Sequence, residues 1–264
     1  MKQYAMIIDL DRCVGCHTCA VSCRAEWDVP IEYARCRVER LGPHETPFGI
    51  SHTFYPAHCM HCDRPACVDA CPVDPEEVLL RDPISGQVKS ITMSATWKDP
   101  FSGTVQIDSR RCIGCGTCVS ACPYGARFLN TKLPEPKAQK CTFCIEKIVE
   151  GEEPACVQSC ITGARIFGDL NDSASEAAQY VRKGVARLES AAVGIGPNLY
   201  FTGNKKDISL LQKVCTPDKM PIASSRRALL STAARRTARK AREIGTFSFP
   251  EKPLHRTIIE EEDL

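Results

Sequence analysis

Apolar residues in this chain come in short bursts, with few long periodic stretches. Tyr4 to Leu10 is a near-continuous apolar run of strand length and predicts a β-strand. The next regular pattern lies at 80–108, where Asp82-Pro83-Ile84-Ser85-Gly86-Gln87-Val88 returns as Asp99-Pro100-Phe101-Ser102-Gly103-Thr104-Val105. Each Asp-Pro…Gly reads as a turn followed by an extended stretch, so paired strands are expected there, a β-ribbon that packs and does no chemistry. Ser173-Ala174-Ser175-Glu176 has the form of a capping box, and Val181, Val185 and Leu188 then fall on one face of the helix it would open. Gly194 to Thr202 reads as a loop running into a short apolar strand. At 225–243 a last helix is expected. Leu230, Ala233, Ala234, Thr237, Ala241 and Ile244 make a narrow stripe of mostly small residues, seven Arg and Lys residues cover the rest, and Gly245 ends it. Pro250 to Leu264 finishes in an acidic run and reads as an extended arm. No apolar run reaches the ~18 residues of a membrane-spanning helix. The opening Met1-Lys2-Gln3-Tyr4 leads straight into the first strand without the pattern of a signal peptide.

Composition adds one fact that reorders everything else. The 264 residues are 43% apolar and 25% charged, ordinary for a globular protein, and a net charge of +2 gives no bulk electrostatic case for nucleic acid. But 18 residues are cysteine. Two of them, Cys36 and Cys215, stand apart and read as inert thiols. The remaining sixteen form four groups of four. The first is Cys13, Cys16, Cys19 and Cys23, the second Cys59, Cys62, Cys67 and Cys71, the third Cys112, Cys115, Cys118 and Cys122, and the fourth Cys141, Cys144, Cys156 and Cys160. Pro72 and Pro123 directly follow the second and third groups.

The first and third groups follow the spacing C-x2-C-x2-C-x3-C of bacterial ferredoxins. A cubic [4Fe–4S] cluster needs four thiolates. A loop with a cysteine at every third position curls around the cube and supplies three, and the fourth, beyond a short gap, ligates a different cluster. Such motifs work in pairs, so four motifs imply two pairs and four clusters. Zinc also uses C-x2-C pairs, but has no use for a run of three cysteines with a fourth at this offset. Bridged cysteines must meet a tight geometry that these spacings suit poorly.

The chain is also duplicated. Ile8-Asp9-Leu10-Asp11-Arg12-Cys13-Val14-Gly15-Cys16 recurs as Ile107-Asp108-Ser109-Arg110-Arg111-Cys112-Ile113-Gly114-Cys115, and Cys122-Pro123-Tyr124-Gly125-Ala126-Arg127 as Cys160-Ile161-Thr162-Gly163-Ala164-Arg165. Each repeat reads as a strand, a cluster loop, a short helix, a turn and a leaving strand. Gly15 and Gly114 are expected to let the backbone approach the cube and aim N–H groups at sulfur. His17, His44, His52, His58 and His61 crowd the first quarter and read as surface or packing residues, because no group lacks a cysteine. Arg12, Arg24, Arg127, Lys140, Lys147 and Arg165 lie near the motifs, either raising cluster potentials or serving as ordinary surface charges.

The order of the four motifs, the x4 gap in the second, the x11 gap in the fourth and the run Phe167-Gly168-Asp169-Leu170-Asn171-Asp172 resemble a known family. It is that of the four-cluster iron–sulfur subunits of molybdopterin oxidoreductases, which serve dimethyl sulfoxide, polysulfide, thiosulfate, tetrathionate and arsenate reductases and formate dehydrogenases. The resemblance covers about residues 3–202. It implies an α+β fold of two bacterial-ferredoxin-like modules. The first takes 1–50 and 130–172, the second 51–129 with the β-ribbon insertion 80–108, and 173–264 is a helical, partner-docking C-terminal extension. It also implies four ligand sets, namely Cys13, Cys16, Cys19 and Cys160; Cys23, Cys141, Cys144 and Cys156; Cys59, Cys62, Cys67 and Cys122; and Cys71, Cys112, Cys115 and Cys118.

The implied role is electron transfer between a molybdopterin-type catalytic subunit and an integral membrane quinone-interacting subunit or cytochrome, with no bond chemistry of its own. G-x-S-x-G, P-loop and G-x-G-x-x-G motifs are absent. The expected location is the periplasmic face of a membrane, reached on a partner's export signal, or alternatively the cytoplasm. The competing reading is a free polyferredoxin shuttle. The basic helix at 225–243 is expected to dock on a partner subunit or lie on an anionic membrane surface, or else stands solvated.

Overall fold

The computed structural model describes residues 1–220 and 257–259, so the expected basic helix at 225–243 lies outside the described residues. The first strand, β1 (Tyr4–Asp9), sits at the centre of a four-stranded sheet of order β10-β1-β12-β11, with β10 at Arg165–Asp169, β11 at Ala186–Arg187 and β12 at Leu199–Thr202. β10 runs antiparallel to β1 and β12 parallel to it. Its continuous apolar run follows from this placement, since both faces are covered. Ala5 and Ile7 pack with Ile166, Ala177 and Tyr200 on one side. Tyr4, Met6, Ile8 and Leu10 face the main core on the other, and that core is lined with cysteines.

Around this sheet the elements are short. Helix α1 (Thr18–Glu26) follows the first cysteine loop, and one-turn helices α2 (Ala66–Asp69), α3 (Thr117–Ser120) and α5 (Ala155–Gln158) follow the others. Helix α4 (Ile145–Val149) begins at Cys144. A hairpin of β2 (Cys36–Thr46) and β3 (Gly49–His58), absent from the sequence expectations, links the first loop to the second.

The two Asp-Pro segments do form matching turns. The Asp82 and Asp99 carbonyls accept from Gly86 N–H (2.7 Å) and Gly103 N–H (3.0 Å), and their carboxylates accept from Ile84 and Phe101 N–H. They join β4 (Glu76–Arg81) to β5 (Val88–Met93), and β6 (Thr96–Lys98) to β7 (Val105–Ile107). The backbone of β13 (Thr257–Ile259) adds to the outer edge of β4. A last small pair, β8 (Phe128–Asn130) with β9 (Lys137–Gln139), leads into the fourth cysteine group.

Beyond residue 172 the chain departs from the expected helix. Helix α6 spans Glu176–Lys183, and its N-cap is Ser175, whose hydroxyl makes no cap bond. The capping box at Ser173 does not form because Asp172 captures the turn. Its carboxylate accepts from Ala174 N–H at 2.9 Å and its carbonyl from Ser175 N–H at 3.1 Å. The helix stops at Gly184, so Val185 and Leu188 are not on it. Val181 and Val185 still flank the Ala5–Ile7 cluster, while Leu188 enters the main core. The stretch expected to continue the helix thus supplies β11 instead, while β12 forms where the loop from Gly194 was expected to run into a short apolar strand.

An unanticipated helix, α7 (Lys205–Cys215), then packs on the β2–β3 hairpin. Asn204 caps it by accepting from Asp207 N–H at 3.0 Å, and Leu210 and Leu211 are fully buried.

Asn198 ties the sheet to the second cysteine loop. Its N–H donates to Met60 O (2.7 Å), and its amide nitrogen donates to His61 O (2.9 Å) and the Asp63 carboxylate (2.8 Å). Asn198→Ala leaves the buried His61 carbonyl without this donor. The expected cost is about 1–3 kcal/mol, seen as earlier loss of structure in a thermal scan. An unchanged transition would show that loop and sheet hold together without this residue.

Candidate iron–sulfur site

Local hydrogen bonds shape the start of the cysteine loops. Asp9 and Asp108, equivalent in the repeat, start the first and third loops in the same way. Their carbonyls accept from Cys13 and Cys112 N–H, both at 3.0 Å, and their carboxylates from Asp11 and Arg110 N–H. Gly15 (φ +67) and Gly114 (φ +68) take the left-handed conformation that L side chains avoid. A Cβ there would strike the Phe54 ring or the Pro136 carbonyl, and the Gly15 and Gly114 backbones hydrogen-bond the Cys13 and Cys112 sulfurs, as expected of them. The third cysteine of each group then rides on a helical turn, Cys19 on α1, Cys67 on α2, Cys118 on α3 and Cys156 on α5.

All eighteen thiols are free, and the fold gathers cysteines that are far apart in sequence. A small hollow is lined by Cys23, Cys141, Cys144 and Cys156 together with Trp27, Arg35 and Cys36. A second is lined by Cys71, Cys112, Cys115 and Cys118. Cys62 lies in the electrostatic reach of Cys59, Cys67 and Cys122, and Cys13 in that of Cys19 and Cys160. Cys16 stands exposed on the loop it shares with Cys13 and Cys19. Among the described residues, no three His, Cys, Asp or Glu groups are placed to hold a single metal ion.

Burial makes several of these thiols poor acids, and neighbouring sulfurs make them worse. Burial and then Cys156 and Cys144 push Cys23 up to about 12; burial pushes Cys67 and Cys144 up to about 11 and also raises Cys62 and Cys141. Several hydrogen bonds nonetheless point at sulfur. Backbone N–H groups of Ala164 (3.2 Å), Ala138 and Phe143 (both 3.4 Å), and His61 and Ala126 (both 3.5 Å) donate to Cys160, Cys112, Cys141, Cys59 and Cys122. The Trp27 indole N–H donates to Cys144 Sγ at 3.4 Å.

The site also buries positive charge. Arg127, Lys140 and Arg165 are at most 4% exposed, and among the described residues no carboxylate lies within ion-pairing distance of any of them. Nε and Nη2 of Arg127, and Nε and Nη1 of Arg35, have no hydrogen-bond partner. Burial alone would lower the guanidinium of Arg165, but Cys36, Cys156 and Cys19 outweigh it and hold its pKa well above the usual value. Arg127 is likewise raised, against burial, by Cys67, Cys118, Cys59 and Cys122. Buried thiols that cannot ionise unaided and buried cations without counter-ions are two halves of one requirement. A group whose cationic core binds four thiolates, and which is anionic once they are bound, satisfies both, and a [4Fe–4S] cluster is such a group.

Of the residues singled out from sequence, Arg127, Lys140 and Arg165 are therefore core charges, whereas Lys147 pairs with Glu152 and Arg24 binds the carbonyls of Val29 and Tyr33. Arg12 donates from the surface to Thr162 O. His58 and His61 are fully buried. Burial, then Arg165, lowers His58 to about 3, and burial, then Lys140, takes His61 well below its usual value, so both rings stay neutral. His58 Nδ1–H donates to Cys59 O, while His61 Nδ1 accepts from Val105 N–H at 3.0 Å and its ring stacks on Phe143 at 3.9 Å.

Sequence reading missed Trp27, Arg35 and the part played by Cys36. The Cys36 thiol, held protonated by its interaction with Cys19 and by burial, hydrogen-bonds Cys19 and helps bring that residue down to about 5; it also accepts from Arg165 Nη2 at 3.2 Å. Only the loop spacing of ligands is visible in sequence, and these three residues belong to no motif.

Comparison with known proteins agrees with this chemistry. Residues 50–170 match the model of a 4Fe-4S dicluster domain and residues 10–26 that of a 4Fe-4S binding domain. The sequence is 36% identical to a tetrathionate reductase subunit of Salmonella typhimurium, over 76% of this protein and 72% of that one. It is 35% identical to a thiosulfate reductase electron transfer subunit of Salmonella typhi (73% and 89%) and 32% identical to a polysulfide reductase chain of Wolinella succinogenes (78% and 96%). This protein belongs to the ferredoxin-type iron–sulfur subunits of molybdopterin oxidoreductase complexes, and its cofactors are [4Fe–4S] clusters.

Proposed function

We propose that this chain relays electrons through four [4Fe–4S] clusters between a molybdopterin-type catalytic subunit and a membrane subunit that exchanges electrons with quinone, or a cytochrome. The ligand sets are Cys13, Cys16, Cys19 and Cys160 for the first cluster, Cys23, Cys141, Cys144 and Cys156 for the second, Cys59, Cys62, Cys67 and Cys122 for the third, and Cys71, Cys112, Cys115 and Cys118 for the fourth. The observation that carries this reading is the composition of the two hollows. Each combines three cysteines of one motif with the displaced cysteine of another, Cys23 with the fourth motif and Cys71 with the third. Paired ferredoxin motifs demand this exchange of ligands.

The exchange defines two modules, one from motifs one and four, the other from motifs two and three, with the hairpins at 76–107 beside the latter. Residues 173–264 are read as a region that meets partners. Bound clusters supply one-electron chemistry. The chain's own residues hold the thiolates, aim N–H groups at their sulfurs and keep water from most of them. Among the described residues no helix is long and apolar enough to cross a membrane, so attachment rests on partners, at the periplasmic face in this reading.

Gentle anaerobic purification from native cells, followed by mass spectrometry, tests the relay. A large pterin-binding protein and a polytopic membrane protein are expected to remain bound, and a lone iron protein of about the 29.1 kDa of this chain would establish the free shuttle instead. Trp27→Phe removes the indole hydrogen bond to Cys144. One of the four midpoint potentials is expected to fall by a few tens of millivolts, the equivalent of a hydrogen bond worth on the order of 1 kcal/mol, in a redox titration followed by electron paramagnetic resonance. Cys36→Ala is expected to retain full iron content, because this thiol supports Cys19 without being a ligand, whereas Cys160→Ala should lose iron. Iron loss from Cys36→Ala would make it a ligand and overturn the assignment.

A further inference from the structure

The three buried cations are spread along the series of ligand sets in a regular order. Arg165 reaches the Cys156 sulfur at 3.8 Å, and its field also falls on Cys19, so it borders the second and the first set. Lys140 donates to the carbonyls of Val105 and Cys141, the latter at 2.7 Å, and interacts with Cys141 on one side and Cys59 and Cys67 on the other. It borders the second and the third set, which are themselves close enough for Cys59 to act on Cys141. Arg127 donates to Thr96 Oγ1 at 2.9 Å, and Thr96 lines the hollow of the fourth set. Its field falls on Cys118 of that set and on Cys59, Cys67 and Cys122 of the third. Each junction between successive sets holds one buried cation.

We propose that Arg165, Lys140 and Arg127 are positioning residues seated one in each gap of the four-cluster series, each raising the potentials of the two clusters it separates. The proposal rests on the four-cluster reading. A cube with four thiolates is already anionic, and an added electron increases that charge, so a fixed buried cation favours the reduced form of both neighbours. Water cannot perform this service in gaps where each cation is nearly inaccessible. Sequence duplication shows that the outer two are one device used twice, since Arg127 and Arg165 follow Cys122 and Cys160 at the same distance within the repeated Gly-Ala-Arg. Arg35 provides an internal contrast. It too is buried, over the Trp27 ring at 4.9 Å, but it lines the hollow of the second set, and the cysteines that act on it most strongly, Cys23, Cys141 and Cys144, all belong to that set. It borders a single set.

The test is a redox titration of the purified holoprotein at full length, each cluster followed by electron paramagnetic resonance. Arg165→Gln and Arg127→Gln are each expected to lower two of the four midpoint potentials, and the two variants should move different pairs. Lys140→Gln should lower one member of each pair, and Arg35→Gln only one potential. Each affected cluster should lose about tenfold in its reduction equilibrium, about 59 mV for one electron. Arg165→Lys and Arg127→Lys, which keep the charge, should restore the parent potentials.

A uniform shift of all four centres, no shift, or lysine variants that behave like the glutamine variants would overturn the inference. Should the glutamine variants fail to retain iron while the lysine variants retain it, the charge is required for the clusters to be held at all, which supports it in a stronger form. Equal iron loss in both would assign these residues to shape and sink it. Parent protein with fewer than four clusters would instead remove the reading beneath the proposal, a result visible before any variant is made.

Discussion

Everything else in this fold depends on gathering thiols from distant parts of the chain into common hollows. Cys23 meets Cys156, and Cys71 meets Cys112, only if the segments between them fold back. The secondary structure alone is too slight to enforce this. Four of the seven helices among the described residues have four or five residues, and several strand pairs are three residues long. Single helical turns are not stable on their own, and isolated short hairpins are marginal. Cysteines instead occupy core positions that a larger apolar residue would fill elsewhere, with Cys19, Cys23, Cys59, Cys62 and Cys156 in the main cluster beside Met6, Ile8 and Phe201. Metal binding in such a site is folding free energy, because the unfolded chain presents no formed site. The sheet around β1 supplies a cysteine-free core on one face, the hairpins at 76–107 another around Leu80, Met93, Trp97 and Phe101, and the loops hang between them.

The same burial sorts the basic residues by what surrounds them. His58 and His61 lie in the same interior as Arg165 and Lys140, yet both lose their charge. Desolvation acts on all four. Arg165 resists it because thiols surround it on several sides, whereas each imidazole faces other cations first, Arg165 for His58 and Lys140 for His61. Lys140 falls between, lowered by burial but supported by Cys59 and by two carbonyls. Neutral histidines then do structural work with opposite tautomers. His58 donates from Nδ1, and His61 accepts there from Val105. The interior thereby carries charge at chosen points and hydrogen-bonding capacity at others.

The part of this molecule legible from sequence was the part encoded locally. Ligand spacing, the first strand and the Asp-Pro turns each depend on residues within a few positions of one another, and the duplication exposed them twice. The capping box failed for a reason equally local, since Asp172, one residue before it, made the competing turn. Helix α7 did leave a signal, with Asn204 and Asp207 at cap spacing and Ile208, Leu211 and Cys215 on one face. The β2–β3 hairpin left almost none. Its strands mix charged and apolar residues without clean alternation, and a register shift between Leu41 and His44 breaks the period further. Arg127 and Arg165 were visible as a repeated residue, but their burial was not, because it is made by loops that only the fold brings together.

Duplication also explains where the molecule departs from symmetry. The fourth cysteine group aligns with the second, so Lys140 corresponds to His58 and Phe143 to His61. Both His61 (φ 45) and Phe143 (φ 60) adopt the left-handed conformation, and the two rings stack against each other. Geometry is thus shared between the halves, while charge is not. One side of the junction places a lysine before its first cysteine and the other a neutral histidine in contact with the Cys59 carbonyl. A repeat copied without change would give the two halves the same electrostatic surroundings. The replacement of one residue on one side is enough to make them unequal, and it acts at the point where the two halves meet.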